Sequence, residues 1–112
     1  MRRGPEAVIE TQIRIALNQQ RCMVMKNRIE SCYQCGAKPK RTDALGLGSA
    51  DLIVVVPPLG RLLAVEVKAP KGVVSPEQTR WLEQVNRFGA VGGVARSVEA
   101  ALELLGVVRR VK

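Results

Sequence analysis

Two apolar runs separated by only five residues constrain this chain more than any other feature. Leu52-Ile53-Val54-Val55-Val56 and Leu62-Leu63-Ala64-Val65 contain no polar side chain, and Pro57-Pro58-Leu59-Gly60 lies between them with Arg61. Short runs this rich in β-branched residues read as strands covered on both faces. So brief a link makes them an antiparallel hairpin, spanning about residues 51 to 57 and 61 to 68.

The remaining segments supply the cover. Glu6 to about Gln20 has Ile9, Ile13, Ala16 and Leu17 at helical spacing, with Pro5 suited to a first turn. Cys22 to Lys26 reads as a short strand, and Asn27 to Gly48 as a polar, basic loop broken by Gly36, Pro39, Gly46 and Gly48. Ser75-Pro76-Glu77 opens a helix to about Phe88, with Ser75 as N-cap. Gly89 ends it, Val91 to Ala95 forms a strand, Ser97 to Leu105 a helix, and Val107 to Val111 a last extended piece. Trp81 and Phe88 are expected in the core, because a chain with so few aromatics usually buries them. The 112 residues are expected to form one α/β domain, with a central mixed sheet flanked by helices.

Charges cap the hairpin at one end. Asp51 opens the first run, and Glu66 and Lys68 close the second, two residues apart. Side chains alternate along a strand, so Glu66 and Lys68 share a face while Val67 points to the other layer. Adjacent strands then bring Asp51, Glu66 and Lys68 to one sheet edge. A Glu-x-Lys pair alone is more often a surface ion pair. At the end of doubly covered strands it is costly unless it has a use. Two carboxylates with a backbone carbonyl, here that of Val67, suit a hard divalent cation such as magnesium. A lysine beside them can orient water and neutralise charge on a phosphate.

Asp51 followed by Glu66-Val67-Lys68 resembles the PD-(D/E)xK nuclease superfamily, and more closely its virus-type replication-repair nuclease (VRR-NUC) branch. The likeness runs from Ile9 to about Leu105 and includes Ile9-Glu10-x-x-Ile13, Gly48-x-x-Asp51, Glu66-Val67-Lys68-Ala69-Pro70 and Ser75-Pro76-x-Gln78-x-x-Trp81. Ala50 stands where many relatives have proline. The element order αβββαβα is the core expected of that restriction-endonuclease-like fold. The resemblance implies a Mg2+-dependent endodeoxyribonuclease, with Mn2+ as a substitute, that leaves a 5′-phosphate and a 3′-hydroxyl. It further implies metal ligation by Glu10, Asp51, Glu66 and the Val67 carbonyl, catalytic roles for Asp51, Glu66 and Lys68, and assistance from Gln78. Two acids, Glu6 and Glu10, lie on the inward stripe of the first helix; Glu6 suits the helix dipole, and the resemblance selects Glu10. Small standalone members resemble Holliday-junction resolvases and act as homodimers, so branched DNA is the expected substrate. Flap or fork cleavage and less selective cutting are the alternatives within the class.

Composition fits a nucleic-acid partner. The formal net charge is +8, which favours a polyanion, and a metal-carboxylate site within it would act on the phosphates so attracted. Lys38, Lys40, Arg41 and Lys71 are candidate phosphate contacts, and Tyr33 is a candidate stacking partner for a base. Arg109, Arg110 and Lys112 read as a solubilising tail. A signal-like start and a membrane-length apolar run are both missing, so the expected location is the cytoplasm. Cys32-x-x-Cys35 with Cys22 could form part of a shared zinc site, but with no histidine the four ligands of structural zinc are lacking in one copy. An inactive nucleic-acid-binding module, or a zinc-binding interaction protein, would be the readings from other classes.

Overall fold

The computed structural model describes residues 4–27 and 45–110. Their order is α1 (Pro5–Gln19), β1 (Met23–Lys26), β2 (Leu52–Val56), β3 (Arg61–Val67), α2 (Pro76–Arg87), β4 (Val91–Ala95) and α3 (Val98–Arg110). The expected αβββαβα order is observed. The strands lie in the sheet in chain order, with β1–β2 and β2–β3 antiparallel and β3–β4 parallel. Among the described residues, no helix is long and apolar enough to cross a membrane.

Alternation along the hairpin builds two cores. Leu52, Val54 and Val56 of β2 and Leu63, Val65 and Val67 of β3 face α1 and α3, meeting Ile13, Leu17, Ala101, Leu105 and Val108. Ile53 and Ala64 face the other way, towards Leu82, Trp81 and Val85 of α2. The mixed sheet is thus covered on both faces, as its apolar runs require. Burying each large aliphatic side chain contributes about 1.5–3 kcal/mol.

Two expectations from sequence are corrected. Val107 to Arg110 continue α3 instead of forming an extended piece. Gly106 does not stop the helix, because Ala101, Leu105 and Val108 follow one another at helical spacing into the core and their burial outweighs the local preference. Arg109 is therefore docked, donating from Nη1 to Gln20 Oε1 at 3.0 Å and from Nη2 to Gln20 O at 3.1 Å. Phe88 is 85% exposed at the C-cap of α2. It follows the last turn of that helix and does not join the cluster of Leu82, Trp81 and Val85. Trp81 is half-buried, as part of the α2 core.

Asn86 joins α2 to the edge strand β4. Its Nδ2 donates to Leu82 O at 3.0 Å and Gly92 O at 2.9 Å, and its Oδ1 accepts from Gly92 N at 2.9 Å. Asn86→Ala should lower unfolding free energy by about 1–2 kcal/mol in urea melts, whereas an exposed Arg87→Ala should change it by less than about 0.5 kcal/mol.

Candidate active site

The register of the hairpin assembles the site. Leu52 pairs with Val65, so Asp51, one residue back, lies opposite Glu66. Both carboxyl groups are buried, with Asp51 at 3% and Glu66 at 1% exposure. Asp51 Oδ2 accepts from the Val67 N–H at 2.9 Å, which ties the acid of β2 to the end of β3. Lys68 Nζ lies 3.7 Å from Glu66 Oε2. The expected same-face relation of Glu66 and Lys68 is present.

Gln78 reaches the same oxygen from α2. Its Nε2 donates to Glu66 Oε2 at 2.8 Å, while its Oε1 accepts from Ser75 N at 2.9 Å. Ser75 Oγ accepts in return from Gln78 N at 3.1 Å, completing a capping box. One glutamine therefore caps a helix and orients a buried acid. Glu66 Oε1, by contrast, is buried and receives no hydrogen bond among the described residues.

The electrostatics follow from this crowding. Burial pushes the Glu66 carboxyl up to about 8, the charge of Asp51 adds to the shift, and Lys68 opposes it. A hydrogen bond to Asp51, open to Glu66 when protonated, and the charge of Glu6 raise it further. Two facing buried carboxyls that resist joint ionisation form a place for positive charge. An oxygen lacking a donor, two carboxylates and an oxygen-only donor set fit a hard divalent cation.

The two first-helix acids have different surroundings. Glu10 is buried, and its Oε2 lies 3.7 Å from Lys26 Nζ at the end of β1. Glu6 is the acid on α1 whose charge bears on Glu66. The described residues contain no cluster of three His, Cys, Asp or Glu side chains able to hold a metal, so the fold presents Asp51 and Glu66 as a pair. Lys71 sits on the exposed turn after Lys68. Lys38, Lys40, Arg41, Tyr33, Cys32, Cys35, Val111 and Lys112 lie outside the described residues. Cys22 is buried in the core beside α1, and burial pushes its thiol up.

Two supporting roles escaped the sequence reading. Asn27 is buried and donates from Nδ2 to Ser49 Oγ and Ala50 O, each at 2.8 Å, while its backbone N–H donates to Asp51 O at 2.7 Å. Gly48 has a φ of +81°, and a Cβ there would lie 2.9 Å from Gln78 N and collide with the Glu77 carbonyl. The loop bearing Asp51 thus rests directly on the helix bearing Gln78. A polar residue closing a strand was the available signal for Asn27, and Gly48 was visible only as part of a motif.

A solved structure described as a VRR-NUC domain matches the fold with a TM-score of 0.67 and 23% identity, over 93% of this chain and 97% of the other. No curated protein sequence matches the chain. The family model of the VRR-NUC domain matches residues 5–99, which include Asp51, Glu66, Lys68 and Gln78. The chain therefore belongs to the VRR-NUC domain family, a domain of nuclease type.

Proposed function

We propose that the protein is a divalent-metal-dependent DNA endonuclease acting on branched DNA. The observation that carries this reading is the buried Asp51–Glu66 pair, with Lys68 and Gln78 both on Glu66 Oε2 and Oε1 left without a donor. Asp51, Glu66 and the Val67 carbonyl would hold Mg2+ or Mn2+, with Glu6 or Glu10 as a further acid. When bound, the cation would supply Lewis-acid neutralisation of charge on the scissile phosphate.

The side chains of the chain divide the remaining tasks. Lys68 would hold the attacking water and balance negative charge that builds on the phosphate. In-line attack forms the new P–O bond and breaks the bond to the 3′ oxygen, which leaves as a hydroxyl after taking a proton; the 5′ end keeps the phosphate. Gln78 keeps Glu66 from turning away, and Asp51 is fixed by the Val67 N–H. The net charge of +8 favours a phosphate backbone, with Lys38, Lys40, Arg41 and Lys71 as contacts. A homodimer would supply two such sites for the two strands of a four-way junction.

Labelled four-way junction, flap, linear duplex and single-stranded DNA, incubated with Mg2+, Mn2+ or EDTA, test the reading. Paired symmetric cuts in the junction are expected, lost in EDTA and reduced about 10²–10⁴-fold in Lys68→Ala. Cutting of flaps alone would move the substrate to fork structures. Binding without metal-dependent cutting would leave a nucleic-acid-binding module and overturn the enzyme reading.

A further inference from the structure

Arg96 lies just past β4, at the edge where β3 ends. Because β3 and β4 are parallel, with Val67 beside Ala95, both strands deliver their C-terminal ends to the same side of the sheet. Lys68 N donates to Ala95 O at 3.1 Å, which extends the ladder into the active-site edge. On its other side Arg96 is followed by Ser97, whose Oγ accepts from Ala100 N at 3.1 Å at the start of α3. The arginine is thus held between a strand end and a capped helix.

Its side chain turns back onto the segment that follows Lys68. Nη1 donates to Ala69 O at 2.7 Å, to Gly72 O at 2.8 Å and, more weakly, to Pro70 O at 3.2 Å. The turn also closes on itself, with Gly72 N donating to Ala69 O at 2.9 Å. The turn passes beside the stem of the lysine: a Cβ built on Gly72 would sit 3.4 Å from Lys68 Cδ and 3.3 Å from Ala69 O. A charged donor shared by three carbonyls locks such a turn more firmly than neutral bonds would.

We infer that Arg96 is a positioning residue for Lys68, acting through the Ala69–Gly72 turn. The inference rests on the role of Lys68 proposed above and adds what keeps its side chain in place. With its side chain only 14% exposed and Nζ 3.7 Å from Glu66 Oε2, Lys68 has a defined position to keep. Releasing the turn would loosen the backbone that passes beside its stem. A misplacement of about 1 Å at a reacting group can cost as much as 10²-fold in rate.

All three acceptors draw on one nitrogen. An ammonium group, with three donors of its own, can therefore replace that nitrogen chemically, whereas alanine cannot. Arg96→Ala should lower kcat about tenfold with KM within about twofold, and Arg96→Lys should recover most of that loss. Gly72→Ala, which presses on Lys68 from the same turn while leaving Arg96 in place, should lower kcat in the same sense. Hydrogen exchange of the Gly72 amide should be about tenfold faster in Arg96→Ala, with exchange in the β2–β3 ladder unchanged.

A rise in KM with kcat unchanged would make Arg96 a phosphate contact and overturn the inference. So would full activity in Arg96→Ala when Lys68→Ala is inactive, and so would unchanged exchange at Gly72. If the parent protein cuts no DNA, the proposed function fails on its own, and the exchange measurement still decides whether Arg96 holds the turn.

Discussion

Glu66→Gln should yield a protein that resists urea better than the parent at pH 8 in EDTA, and that cuts no DNA. Burial and the charge of Asp51 push the Glu66 carboxyl up to about 8 in the folded protein, against about 4.3 in an unfolded chain. Between these values the native state keeps a proton that the unfolded state has released, so stability falls as pH rises. The contribution is complete below about 4.3 and is lost through about 8. Glutamine keeps the neutral form at every pH and still offers Gln78 Nε2 an acceptor. Allowing for the partner that Lys68 loses, the gain at pH 8 should be on the order of 2 kcal/mol, at about 1.4 kcal/mol per pK unit. Under the proposed function, in which Glu66 would hold the cation, cleavage should fall at least about 10³-fold. Urea unfolding at pH 5 and pH 8, with and without Mg2+, checks both halves. Mg2+ should stabilise the parent more at pH 8 than at pH 5 and leave the variant unmoved, because a carboxylate must lose its proton to bind metal. Parent stability that is level between the two pH values would contradict the electrostatic account.

Gly48→Ala should be the most damaging glycine-to-alanine change among the described residues. The position has a φ of +81°, which an L side chain rarely adopts, and the added Cβ would meet backbone atoms of Glu77 and Gln78. Backbone cannot swing aside as a side-chain tip can. The strained φ and the clash together should cost about 3 kcal/mol. Activity should fall further than stability predicts, because the clash drives the Asp51 loop away from the Gln78 helix and separates the two groups aimed at Glu66. Thermal melts, paired with cleavage at a temperature where both proteins are folded, distinguish the two effects. A variant that melts lower but cuts at the parent rate would show that the loop–helix contact serves the fold alone.

Legibility in the sequence followed periodicity. The hairpin was readable because Leu52 to Val56 and Leu62 to Val65 leave no amphipathic alternative at that length, and the period of two set Glu66 and Lys68 on one face. Gln78 was readable in part, since the Ser75-Pro76 helix start fixes where its side chain emerges. The end of α3 was not, because Gly106 and the valines after it favour leaving a helix, and only the burial of Leu105 and Val108 overrides them. Phe88 misled for the opposite reason: its type argues for the core, but its place after the last turn of α2 puts it in solvent. Asn27 and Arg96 act by donating to backbone carbonyls of distant loops, and such bonds leave no repeat in the chain. Glu6 and Glu10 share one helical stripe, so their division between Glu66 and Lys26 depends on tertiary placement.

The amide of Asn86 has a consequence for how these molecules meet one another. By bonding both the N–H and the C=O of Gly92, it stands where the backbone of an adjoining strand would stand. A foreign strand seeking to lengthen the sheet from β4 must first displace it, at the cost of two hydrogen bonds. The protein thereby guards a flank that would otherwise invite stacking into fibres, with one side chain of a neighbouring helix as the guard.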